Sequence, residues 1–108
     1  MVINELCQNG NFTILCGDDS KEITSCYIGD LLSLAMSKVT KDSVWVTIQN
    51  NINIVAVASL TEAACVVVCE GFSPDENVIK KAHEEGITIL STELSAYEIA
   101  KILVNLKI

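Results

Sequence analysis

The sequence contains no arginine, a single histidine and a single proline, and its seven basic residues are all lysines set against fourteen acidic ones. Without arginine there is no planar five-donor fork to grip phosphate or guanine by paired hydrogen bonds. A formal charge of −7 removes most of the remaining case for nucleic acid, whose binding draws on Lys and Arg neutralising phosphates. An anion would have to be held by backbone N–H groups, helix N-termini or lysine. His83 stands alone, and Cys7, Cys16, Cys26, Cys65 and Cys69 include no C-x-x-C pair. No metal and no cofactor is expected from that spacing, and the cysteines read as small hydrophobes of a core.

Targeting and catalytic signals are also missing. The opening MVINELCQNGNF lacks the basic flank and apolar stretch of a secretory signal, which predicts a cytoplasmic protein with reduced thiols. Residues 52–69 are apolar enough to suggest a membrane span, but Asn53, Thr61 and Glu62 interrupt them. A central acid costs about 2.5–3.5 kcal/mol on insertion scales, so two water-soluble elements are expected there. There is no G-x-G-x-x-G, no Walker A, no G-x-S-x-G and no H-E-x-x-H. Cys69 could serve as a nucleophile only beside a base, and the sole histidine lies on the far side of a capped helix, near its C-terminus, so no enzyme is expected.

What the chain does have is apolar residues, 50% of its 108, with 19% charged. That length predicts one domain, removing roughly two-thirds of its unfolded surface from water. An apolar excess in so small a domain predicts self-association, most simply as a homodimer.

Residues Ile3–Gln8 predict a short helix, stopped by Asn9-Gly10-Asn11 before a strand over Phe12–Cys16. Gly17-Asp18-Asp19-Ser20 is a turn, and Thr24–Ile28 is extended. Asp30 is placed to cap an amphipathic helix over Leu31–Val39, and Val44–Gln49 is a strand. Ile52–Ala63 fits either a strand or a helix by periodicity. Because Cys65–Cys69 is apolar on both faces, as in a buried parallel strand, a helical crossover over Ile52–Ala63 is favoured. Ser73-Pro74-Asp75-Glu76 predicts a helix start with Ser73 as cap, Pro74 in the first helical position, Glu76 closing the box and later pairing with Lys80; Gly86 ends it. Ile87–Thr92 is a strand, and Ser95-Ala96-Tyr97-Glu98 opens a last helix over Ile99–Leu106. From residue 44 the order is βαβαβα, predicting an α/β domain whose parallel sheet, with a mixed sheet as the alternative, is flanked by helices through right-handed crossovers.

In such a sheet, ligands meet the loops at the carboxyl ends of the strands. Those ends carry the candidate binding residues Gln49, Asn50, Glu70, Gly71, Ser73, Ser91 and Thr92. Gly71 permits close backbone approach, and the helix after Ser73 offers N–H groups. The same Ser and Asn residues also suit capping and turns without any ligand.

From Tyr27 onward the chain resembles the DRTGG domain family. The residues that carry the likeness are Gly29-Asp30-Leu31-Leu32-Ser33, Val44–Gln49, Asn53–Ala58, Pro74-Asp75-Glu76 and Gly86–Thr92. The resemblance implies an α/β fold similar to the N-terminal domain of HPr kinase/phosphorylase, used as a regulatory or dimerising module. Some relatives are encoded near iron hydrogenase and serine-kinase-like proteins. The sequence departs from the family name: no Asp-Arg precedes the third strand, and Cys69-Glu70-Gly71 stands at the Thr-Gly-Gly position. A carboxylate at Glu70 opposes an anionic ligand there. The expectation is a non-catalytic homodimeric module that binds a small molecule or partner protein, against the alternative of an interaction scaffold without a ligand.

Overall fold

Strands buried on both sides require a helical layer on each face, and the computed structural model, which describes residues 1–8 and 10–108, has that construction. Its elements are α1 (Ile3–Cys7), β1 (Thr13–Cys16), β2 (Ser25–Ile28), α2 (Leu32–Lys38), β3 (Ser43–Thr47), α3 (Asn53–Thr61), β4 (Cys65–Val68), α4 (Glu76–Glu84), β5 (Ile89–Ser91) and α5 (Ala96–Asn105). The five-stranded sheet runs β1-β5-β4-β3-β2. β2, β3, β4 and β5 are parallel, and β1 is antiparallel to β5 with a register shift between Ile14 and Cys16, so the sheet is mixed.

The pleat sends alternate side chains into two cores. Trp45, Val66, Val68 and Ile89 pack with Ala35 of α2, Ile54 and Val57 of α3 and Val78 and Ala82 of α4. Val44, Val46, Cys65, Val67 and Leu90 pack on the other face with Ile3 and Leu6 of α1 and Ile99 and Leu103 of α5. Each fully buried Val, Ile or Leu contributes roughly 1.5–3 kcal/mol. The Trp45 ring is fully buried, and its Nε1 donates to the Gly29 carbonyl at 3.0 Å.

The ambiguous segment after β3 is helical, because it must carry the chain from β3 back to the start of parallel β4. It ends at Glu62, whose φ of 58° is left-handed. Residues 52–69 are therefore a helix and a strand, and among the described residues no helix is long and apolar enough to cross a membrane.

Three local expectations are corrected. Asp30 does not cap α2: Leu31 is the N-cap and makes no side-chain cap bond, while the Asp30 carboxylate accepts from the Thr47 hydroxyl and the Ile48 N–H, both at 2.9 Å. The cap of α4 is Asp75, accepting from the N–H groups of Asn77 (3.0 Å) and Val78 (3.1 Å), so Ser73 and Pro74 precede the helix. The ion pair on α4 is Lys81–Glu85 at 3.3 Å, not Glu76–Lys80. The Ser95–Glu98 capping box of α5 forms as the sequence predicts, and Gly86 has a φ of 70° after α4. Of the Asn9-Gly10-Asn11 stop, Asn9 lies outside the described residues.

Candidate functional site at the strand ends

β3, β4 and β5 finish along one edge of the sheet, at Thr47, Val68 and Ser91. Antiparallel β1 starts at that same edge, with Thr13 opposite Ser91. A shallow cleft of about 220 Å³ results, lined by Gly10, Asn11 and Thr13 on one side and by Gly71, Phe72, Ser73, Ser91, Thr92 and Glu93 on the other. Its walls are tied together. The buried Thr92 hydroxyl donates to the Asn11 carbonyl at 2.6 Å and accepts from Leu94 N–H at 3.2 Å. The Gly71 N–H donates to the Thr92 carbonyl at 3.0 Å, and the Glu70 N–H to the Leu94 carbonyl at 2.9 Å.

The turn after β4 holds two consecutive left-handed residues, Glu70 (φ 61°) and Gly71 (φ 77°). The resemblance puts the glycines of Thr-Gly-Gly at these two positions, where glycine meets no steric penalty. Here Glu70 takes the first of them and stays exposed outside the cleft, while the carboxylate of Glu93 reaches over Gly71. The lining thus contains a carboxylate and no lysine.

Gly71, Ser73, Ser91 and Thr92 therefore share one cleft, and the other candidates do not. Gln49 is held at the start of α2, its Nε2 donating to the Asp30 carbonyl at 2.7 Å and its Oε1 accepting from Asn51 at 2.9 Å. Asn50 donates to the Ser73 carbonyl at 3.2 Å from a neighbouring hollow of about 400 Å³ that also includes Asp75 and Asn77. Ser73 is the wall between the two. Gly10, Asn11, Thr13, Phe72 and Glu93 are the lining residues outside the candidate set; Phe72 and Glu93 adjoin candidates in the same loops, whereas only the edge position of β1 brings the other three here.

All five cysteines are free. Burial pushes the Cys65 thiol up to about 12 and that of Cys26 up to about 11. Burial also raises Cys7, Cys16 and Cys69, with Glu70 and Asp30 adding to the rise at Cys69. Cys69 sits at the end of β4 near these carboxylates, whereas His83 is exposed on α4. Among the described residues no three His, Cys, Asp or Glu side chains gather as a metal-binding set.

Together these features define a small α/β module with a parallel core, an antiparallel edge strand and a polar cleft at the strand ends. The DRTGG domain matches residues 5–106, and the chain belongs to the DRTGG domain family. No curated protein matches it. The fold is similar to the crystal structure of the CBS and DRTGG domains of the regulatory region of Clostridium perfringens pyrophosphatase, complexed with its activator diadenosine tetraphosphate. The TM-score is 0.77 at 10% identity, covering 94% of this chain and 45% of that one, so this chain corresponds to less than half of its length.

Proposed function

We propose that residues 1–108 act as one non-catalytic regulatory domain in the cytoplasm, homodimeric, with a small molecule bound in the strand-end cleft. The observation that carries this reading is the convergence of Gly71, Ser73, Ser91 and Thr92 on one hollow from separate loops. The fold supports it too, since its counterpart in the pyrophosphatase belongs to a regulatory region. Glu93 in the wall and the lack of lysine there favour a neutral or cationic ligand over a phosphate. The scaffold reading draws on Glu93 as well, because its carboxylate already covers Gly71.

A thermal-shift screen of metabolites decides between them. A ligand at 100 times its dissociation constant stabilises the fold by about 2.7 kcal/mol through mass action. Gly71→Val abolishes that shift, read against the variant's own melting temperature, by blocking approach to the backbone. Absence of any shift across the screen overturns the ligand reading and leaves the scaffold.

A further inference from the structure

Three helices, α2, α3 and α4, cover the same face of the sheet, and their outer surfaces differ in kind. α4 presents Glu76, Lys80, Lys81 and Glu84 to solvent or its margin, as a solvated helix should. α3 carries no charge, and its only polar residues are Asn53, Ser59 and Thr61. Ile54, Val55, Val57 and Ala58 face the core, while Ala56 and Leu60 face outward, Leu60 being 72% exposed, with Ile52 at 47% just before the helix. An uncharged outer side that exposes a large apolar residue such as Leu60 is unlike the charged outer face of a solvated helix. α2 beside it adds Leu31, 65% exposed, and Met36, 40% exposed. Between the two helices runs a mainly apolar groove of about 510 Å³ lined by Leu32, Ser33, Met36, Asn53, Ala56 and Val57.

The charge pattern identifies what covers it. No charged residue occurs from Ser43 to Thr61, and Lys38 is the one charge of α2, so these helices hold none of the chain's fourteen acidic residues. Two copies of a −7 chain repel each other wherever carboxylates face carboxylates. They can close without burying like charges on the α2–α3 face. A basic partner would be drawn instead to the acidic surfaces. We infer that the outer face of α2 and α3 seats a second copy of this chain about a two-fold axis, Leu60 of each copy packing against the groove of the other. This rests on the homodimer reading above and adds which face forms it.

Sedimentation at low micromolar concentration, with far-UV circular dichroism to confirm folding, tests this on the full chain, on Leu60→Glu and on Val104→Glu. Val104 is 68% exposed on α5, behind the opposite face of the sheet, so both substitutions are made at solvent-facing positions. The unaltered chain and Val104→Glu are expected as dimers, and Leu60→Glu as a monomer, its self-affinity weakened about 100-fold by a carboxylate facing an apolar surface. A monomeric unaltered chain overturns both the homodimer reading and this face. A Leu60→Glu variant that remains dimeric overturns the face alone, and the dimer then lies elsewhere, on α5 if Val104→Glu dissociates it.

Discussion

A Cβ placed on Gly71 would stand 2.6 Å from Oε2 of Glu93, over a backbone held at φ +77°. The two obstacles are unequal. The Glu93 carboxylate ends a flexible, exposed side chain that can swing aside, whereas the left-handed backbone cannot change without moving the bond from Gly71 N–H to Thr92. Gly71→Ala is therefore expected to cost about 1–2 kcal/mol from backbone strain. Adding Glu93→Ala should not restore that loss in urea unfolding. Recovery in the double variant would put the cause in the contact instead.

Asp30 fastens the end of β3 to the start of α2. Its carboxylate serves the buried Thr47 hydroxyl and the Ile48 N–H, and its carbonyl serves Gln49. Asp30→Ala leaves the Thr47 hydroxyl without that acceptor, at an expected cost of roughly 1–3 kcal/mol. Asp30→Asn keeps an acceptor oxygen and should cost less, by comparison of denaturant midpoints.

The two capping candidates before α4 separate cleanly. Asp75→Ala removes the acceptor for two N–H groups and is expected to lower stability by about 1 kcal/mol. Ser73→Ala should leave the midpoint nearly unchanged, because no bond from its hydroxyl supports the helix. Equal losses would return Ser73 to the cap.

Stability at alkaline pH reports the buried thiols. An unfolded cysteine titrates near about 8.5, while Cys65 and Cys26 in the folded chain are pushed up to about 12 and about 11. Between these values the unfolded chain holds fewer protons, so this contribution is complete below the unfolded value and is lost as pH rises toward the folded ones. The slope reaches about 1.4 kcal/mol per pH unit for each thiol. Urea unfolding from about pH 7 to 10 should show the decline, and Cys65→Ala should make it shallower. An identical slope in that variant would remove Cys65 as its source.

Much of the fold is legible because it depends on patterns within the chain. Val44–Thr47 and Cys65–Val68 are buried on both faces, which requires helices on both sides and settles the segment between them as a crossover. The misread details concern partners distant in sequence. Asp30 looks like a cap until Thr47 is seen to occupy its carboxylate. Ser73 and Asp75 are both good cap residues, and spacing around Pro74 does not choose between them. The cleft was half legible. Gly71, Ser73, Ser91 and Thr92 follow from parallel strands ending along one edge, but Gln49 was lost to Asp30, and Asn11 and Thr13 depend on a strand order that local sequence does not encode.

The bond from Thr92 to Asn11 joins residues 81 positions apart in the chain. One wall of the cleft thus belongs to an edge strand that pairs with β5 alone, and the other to the parallel core. Such an edge can open locally without the interior unfolding. The hollow is then a latch between the chain's beginning and its end, and anything bound across it would slow hydrogen exchange and proteolysis in the first strand well before it altered the helices behind the sheet.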